Sequence, residues 1–239
     1  MIIGIYGHQD AGKTQLVEQL VRELVKRRHS VASIKHTPHK KTIDCEGKDT
    51  WRHWKAGSDP VAFTSESETS VIKHSKMPIE RITGMLQREF EPDVIIIEGF
   101  KEGQFPKVAV GDVPVRRGTV MVNPKLKSLV EFIEREIATE RRLKDLPGLN
   151  CGKCGLDCVG MARAITEGDR NLKDCVELPS VGVEISIGGK RIPAGRFVSA
   201  IVNDTVRGMV MSLKGYEPGK SVEIRLSPNT RATRKRKNR

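Results

Sequence analysis

The chain has 239 residues, enough for one α/β domain and a smaller companion. Its formal net charge is +12, but six of the basic residues lie in residues 231–239, a run without a single acid that reads as a solvated tail. Aromatic residues make up only 4% of the chain and form no interleaved basic–aromatic platform, which argues against stacking on nucleic-acid bases. No apolar run approaches the ~18 residues of a membrane span.

Residues 1–6, Met-Ile-Ile-Gly-Ile-Tyr, read as a buried strand. They are too short for the apolar region of a signal peptide and run straight into a glycine loop, so a cytoplasmic location is expected. The loop is Gly7, His8, Gln9, Asp10, Ala11, Gly12, Lys13 and Thr14. Leu16, Val17, Leu20, Val21, Leu24 and Val25 then recur at helical spacing. Residues 30–34 form a second expected strand. Residues 93–99, Asp-Val-Ile-Ile-Ile-Glu-Gly, form a third, apolar enough to be covered on both faces as in a parallel sheet. Residues 126–142 read as an amphipathic helix with Leu129, Phe132, Ile133 and Ile137 inward. Strands alternating with helices predict a doubly wound, mostly parallel α/β domain over residues 1–143.

The composition changes at residues 144–148, Lys-Asp-Leu-Pro-Gly, where a cysteine-bearing segment begins and runs to residue 178. From residue 179 to 227 the pattern predicts a small ββαβ module. It has a strand over 181–187, a Gly188-Gly189 hairpin turn, a returning strand over 190–192, a helical stripe from Phe197 to Leu213 and a final strand over 221–226. That module shows no catalytic constellation and reads as a docking or dimerisation unit, with residues 228–239 as the basic tail.

The pattern G-x-x-x-x-G-K-[ST] is met by Gly7, Gly12, Lys13 and Thr14, between an expected strand and an expected helix, which makes the segment a phosphate-binding P-loop. Glycines let backbone N–H groups turn toward phosphate oxygens, and the helix N-terminus adds partial positive charge. Lys13 is placed to reach the β- and γ-phosphates, and the Thr14 hydroxyl to ligate Mg²⁺. The Mg²⁺ shell also needs an acid at the end of a neighbouring strand, and Glu98 closes the run from Val94 to Ile97. Asp93 begins that strand and would lie roughly 16 Å away by strand rise. The Asn-Lys-x-Asp box that reads guanine in common GTPases is missing, so the residues leave ATP and GTP equally open.

Four of the five cysteines are Cys151, Cys154, Cys158 and Cys175. Four thiolates in a segment too short for a core of its own predict a metal centre, since metal binding energy becomes folding energy. Zinc and a [4Fe–4S] cluster both accept four cysteines. Three ligands within eight residues and a distant fourth suit the cluster, whereas zinc ribbons favour two separated C-x-x-C knuckles. Cys45 reads as an incidental thiol.

The loop at 7–14, followed by Ile34-Lys35-His36-Thr37, Asp44, Gly47-Lys48-Asp49-Thr50, Arg52, Ala56-Gly57 and Ile97-Glu98-Gly99-Phe100-Lys101, resembles the molybdopterin-guanine dinucleotide biosynthesis protein B (MobB) family over roughly residues 1–140. The resemblance implies GTP as ligand, weak GTPase activity and a role mainly as adapter to the nucleotidyltransferase that joins GMP to molybdopterin, as a homodimer. It also places Lys35, His36 and Asp49 near the γ-phosphate side. Residues 146–155, with Ala162 and Leu172-Lys173-Asp174-Cys175, resemble a small four-cysteine iron–sulfur domain of corrinoid iron–sulfur proteins, with one residue fewer between the second and third cysteines. The expectation is a cytoplasmic GTP-binding adapter in molybdenum or tungsten cofactor biosynthesis with an added cluster. A P-loop kinase of a small metabolite, with Arg116-Arg117 as the only hint of a lid, and a redox-gated nucleotide- or nucleic-acid-binding protein stand as alternatives.

Overall fold

The structure is a computed structural model that describes residues 1–179 and 182–226. The chain divides into two compact units, Met1–Arg141 and Arg142–Arg239.

The first unit is built on a five-stranded, all-parallel sheet. Its strands are β1 (Ile2–Gly7), β2 (Val31–Lys35), β5 (Val94–Glu98), β6 (Lys107–Val110) and β7 (Thr119–Val122), in the order β2-β5-β1-β6-β7. The alternation of side chains along the central strands assigns the two faces. Ile3, Ile5, Val94 and Ile96 pack with Leu20 and Leu24 of α1 (Lys13–Lys26) and with Leu129, Val130, Ile133 and Ile137 of α4 (Leu126–Asp145). Ile95 and Ile97 face the other way and pack with Ile79, Ile82 and Leu86 of α3 (Ile79–Phe90). Helices therefore cover both faces, the doubly wound arrangement that the strand–helix alternation predicts. The fully buried β5, apolar on both sides, is the local reason.

Several elements have no counterpart in the sequence reading. They are α2 (Asp49–Lys55), the short antiparallel hairpin β3 (Val61–Thr64) with β4 (Thr69–Ile72), helix α3, and the four-residue strands β6 and β7. Strand β6 opens on a lysine, which hides it from an apolar-run search. Lys107 is only 2% exposed, and its ammonium donates to the carbonyls of Gly103 at 2.7 Å and Arg117 at 2.9 Å.

In the second unit, α5 (Cys158–Glu167) and a 3-10 turn at Leu172–Asp174 carry the cysteine segment. The Asp157 side chain accepts from the Gly160 amide and caps α5, and Gly168, at φ 87°, ends it in the left-handed conformation that favours glycine. The strands β8 (Ile185–Ile187) and β9 (Lys190–Ile192) form a hairpin around Gly188 and Gly189, followed by α6 (Arg196–Val210). The expected final strand over 221–226 is not formed. Those residues alternate in sequence, but all six are exposed and none pairs with another strand, because β8 and β9 pair only with each other among the described residues. The module is ββα rather than ββαβ over the described chain. Val181, where the first of its strands was expected to begin, and the basic tail lie outside the described residues. Among the described residues no helix is long and apolar enough to cross a membrane.

Candidate functional site

The loop at residues 7–14 links the C-terminal end of β1 to the N-terminus of α1. Its tight geometry depends on two glycines. Gly12, the residue before the helix, has φ 84°. Gly7 lies against β6 so closely that a Cβ there would sit 2.2 Å from the Val110 carbonyl oxygen. Asp10 also holds a positive φ of 57°, while His8, Gln9 and Asp10 are exposed and Ala11 is half-buried. The Lys13 ammonium donates to the His8 carbonyl, within the loop itself. The loop thus presents backbone, a helix N-terminus and an ammonium to one small volume.

Glu98 is where strand order and sequence reading meet. It closes β5, between β1 and β2, and is 6% exposed. The Thr14 hydroxyl donates to Glu98 Oε1 at 2.7 Å. The Lys35 ammonium donates to the same oxygen. Lys35 ends β2 and is the register partner of Glu98. The His36 amide continues the ladder to the Glu98 carbonyl at 2.8 Å, and its ring packs edge-on against Phe100 at 5.0 Å. Gly99, at φ 86°, closes this corner, since a Cβ there would lie 2.5 Å from the His36 carbonyl oxygen. Its amide donates to the Ile5 carbonyl at 2.8 Å.

The structure therefore brings Thr14, Glu98, Lys35 and the His36 backbone together. Asp49 stands apart, at the first turn of α2, with a side chain 90% exposed and Arg52 as its ion-pair partner at 3.9 Å. Asp93 lies at the opposite end of β5 from Glu98. Its backbone carbonyl accepts from the Met1 amino terminus at 2.8 Å, and its carboxylate accepts from Arg141 at 2.6 Å and the Ser30 amide at 3.0 Å.

A second polar cluster was not legible in sequence. Asp44, with its side chain only 2% exposed, accepts from the Thr50 hydroxyl at 2.7 Å and pairs with His74 at 3.0 Å. The His74 ring stacks on Trp54 with centroids 4.0 Å apart and planes 7° apart. Lys55 lies over both Trp54 and Trp51. Trp54 is thus packed against His74 and Lys55 rather than standing as an open platform. Thirty residues separate Asp44 from His74, so no local pattern could have paired them.

Three of the four cysteines gather around one small core. Cys154, Cys158 and the buried Cys175 pack with Leu146, Met161 and Ala162, while Cys151 is exposed. Burial pushes the Cys175 thiol up from its ordinary pKa, and the neighbouring thiols at 154, 158 and 151 push the same way. Asn150 fixes the loop by two contacts with Cys158: its amide approaches Sγ at 3.4 Å, and its side-chain oxygen accepts from the Cys158 amide at 3.1 Å. Lys153 donates to Glu177 at 2.5 Å and ties the loop to the segment beyond Cys175. That contact raises the pKa of Lys153 and lowers that of Glu177. Among the described residues no three His, Cys, Asp or Glu side chains converge as a ready ligand set. The donor type nevertheless fits a soft, thiolate-loving metal centre, because Cys151, Cys154 and Cys158 all lie close enough to act on the Cys175 thiol. Cys45 is exposed.

Comparison with known proteins gives two family matches. The family model described as "Molybdopterin guanine dinucleotide synthesis protein B" (MobB) matches residues 2–133, and one described as "Putative Fe-S cluster" matches residues 146–177. A protein of Methanocaldococcus jannaschii, named "Putative molybdopterin-guanine dinucleotide biosynthesis adapter protein", is 31% identical over 235 residues, covering 94% of this chain and 97% of that protein. The Haemophilus influenzae "Molybdopterin-guanine dinucleotide biosynthesis adapter protein" is 34% identical over 110 residues, which span 45% of this chain and 61% of that protein. The crystal structure of Bacillus subtilis MobB aligns with 56% of this chain and 95% of its own, at 21% identity and a TM-score of 0.45.

Proposed function

The chain belongs to the MobB family, and we propose that it is a GTP-binding adapter in molybdopterin guanine dinucleotide biosynthesis that hydrolyses GTP slowly and carries a [4Fe–4S] cluster on its cysteine loop. The observation that carries the nucleotide half is the Thr14–Glu98 hydrogen bond beside the loop at 7–14. A hydroxyl and a buried carboxylate are joined at the mouth of a glycine loop and a helix N-terminus. That is the donor set of a Mg²⁺–nucleotide site. Backbone amides of the loop and the α1 N-terminus would receive the phosphates. Lys13 would leave the His8 carbonyl for the β- and γ-phosphates. Thr14 would ligate Mg²⁺ directly, and Glu98 would hold its shell. The ion supplies charge neutralisation between the phosphates. Lys35 and His36 flank the γ-phosphate side. Asp49 would join them from the first turn of α2. Guanine over adenine rests on the family.

Calorimetric titration tests this directly. GTP with Mg²⁺ should bind more tightly than ATP with Mg²⁺, Lys13→Ala should abolish binding, and Glu98→Gln should chiefly weaken its Mg²⁺ dependence. Equal binding of ATP would remove the guanine assignment while leaving the P-loop site in place.

For the second half, Cys151, Cys154, Cys158 and Cys175 would hold the cluster, which supplies cross-links that this small segment otherwise lacks. Protein purified without oxygen should be brown and bleach on reduction. Colourless protein with stoichiometric zinc would instead make the loop a zinc staple. The adapter reading names the cofactor nucleotidyltransferase as partner and a homodimer as the acting form. The ββα module at residues 182–226 would be the docking or dimerisation unit. GTP-dependent co-purification with that enzyme tests the partner, and its failure with and without GTP would count against it.

A further inference from the structure

We infer that Lys35 is the resident counter-cation of the Mg²⁺ position, which it must leave before the ion can bind, so that metal entry and the freeing of an ammonium for the γ-phosphate are one event. The inference rests on the nucleotide site proposed above and concerns its regulation. Three observations carry it. Lys35 and Glu98 are register partners on adjacent parallel strands, so their side chains leave the same edge of the sheet on the same side. Glu98 is buried, with a side chain 8% exposed, whereas that of Lys35 is 61% exposed. The Thr14 hydroxyl and the Lys35 ammonium converge on the same carboxylate oxygen, Oε1.

A surface ion pair between two mobile side chains would carry little meaning. Here the acid is fixed and buried, and its occupied oxygen is the one that faces the metal-ligating hydroxyl. A divalent ion coordinated by Thr14, with Glu98 in its shell, needs that same corner. Two cations cannot share it, because like charges at contact repel. Lysine suits the role because its charge is compact and sits on a flexible four-carbon stem.

The backbone stays in place when the side chain leaves. The His36 amide is bonded to the Glu98 carbonyl, and its ring packs against Phe100. Release of Lys35 is therefore a side-chain movement from a fixed strand end. The freed ammonium then needs a new anion, and the γ-phosphate at the loop mouth provides one. Mg²⁺ alone should bind poorly, since Lys35 would be left without a partner. Mg²⁺ with GTP should bind well. Coupling of this kind is reciprocal, so Mg²⁺ should sharpen the preference for GTP over GDP by the factor by which GTP, more than GDP, raises metal affinity.

The test uses the full chain with Mn²⁺ as an EPR-visible substitute for Mg²⁺, first without nucleotide and then with GTP or GDP. Lys35→Met should bind Mn²⁺ about tenfold more tightly than the unaltered chain in the absence of nucleotide, after allowance for solvent screening of a largely exposed lysine. It should also lose about tenfold of the GTP-induced gain in Mn²⁺ affinity. Lys35→Arg should keep the weak nucleotide-free binding. The double variant with Glu98→Gln should lose the gain, which places the extra ion at Glu98. Equal Mn²⁺ affinity in Lys35→Met and the unaltered chain would overturn the inference, as would a gain that survives Glu98→Gln or appears equally in Lys35→Arg. Failure of the unaltered chain to bind GTP at all would instead overturn the nucleotide reading, and the nucleotide-free Mn²⁺ comparison separates the two.

Discussion

Replacing Gly99 by alanine should destabilise the first unit by about 2–5 kcal/mol. Two costs combine. Gly99 sits at φ 86°, a left-handed conformation that costs an L-residue about 1–2 kcal/mol. The added Cβ would also lie 2.5 Å from the His36 carbonyl oxygen, a backbone atom that cannot swing aside. Overpacking of that kind costs typically about 1–3 kcal/mol. Gly47→Ala isolates the first cost, because Gly47 has φ 82° and nothing within 4 Å of the new Cβ. It should cost only about 1–2 kcal/mol. Both tryptophans, Trp51 and Trp54, lie in the first unit, so urea unfolding followed by their fluorescence reports on that unit. The clash should also push Glu98 and His36 apart and weaken Mg²⁺ binding in the alanine variant. If Gly99→Ala is no more destabilising than Gly47→Ala, the close approach of the two strand ends is wrong, and so is the packed corner around Glu98.

Three further outcomes follow from other contacts. Burial alone would raise the pKa of Asp93, but the hydrogen bond from Arg141, the Ser30 contacts and the Arg141 charge outweigh it and hold the carboxyl below its usual value. A depressed carboxylate stabilises the fold fully above its unfolded pKa of about 3.9 and loses that contribution as pH falls through the folded pKa. Asp93→Asn should therefore be less stable than the unaltered chain by about 1–2 kcal/mol near neutral pH, with the gap closing under acid in parallel urea titrations. His74→Ala removes the partner of the buried Asp44 and the stack on Trp54, and should cost about 2–4 kcal/mol by the same fluorescence assay; a loss under about 0.5 kcal/mol, the range of ordinary surface changes, would show that the cluster is peripheral. In reduced, metal-free protein, iodoacetamide should alkylate exposed Cys151 well before buried Cys175, whose raised thiol pKa slows thiolate formation. Equal rates by mass spectrometry would refute the burial order, and loading the metal should protect all four while leaving Cys45 reactive.

The parts of the fold that were legible are those whose chemistry is local. A strand, a glycine loop and an amphipathic helix occupy consecutive residues, and β5 is one uninterrupted apolar run. Glu98 could be named because it ends that run, and a strand end in a parallel sheet has a fixed relation to the loop after β1. What escaped depends on distant partners. Lys107 is tolerable inside the unit only because two loop carbonyls accept its protons. The short β6 it opens therefore carries a sequence signal of the wrong sign. His74 acquires meaning only once the chain has folded Asp44 and Trp54 onto it. Val222, Ile224 and Leu226 alternate as a strand should, yet alternation says only which face would be buried and cannot supply a neighbouring strand.

Lys35 marks a boundary between those two kinds of information. The family resemblance implies a place near a phosphate, and its position at the end of β2 follows from the strand pattern, but neither says what it touches. The register does. A one-residue slip of β2 against β5 would turn Lys35 to the opposite face and bring Ile34 beside Glu98, leaving the buried carboxylate with Thr14 alone. The apolar pattern opposes that slip. Ala32 and Ile34 face the side packed by α3, together with Ile95 and Ile97, and a slip would move both out of that layer. Packing of Ala32 and Ile34 on one face thus fixes which cation reaches Glu98 at the strand's end. The same hydrophobic alternation that makes the sheet also sets the charge balance around Glu98.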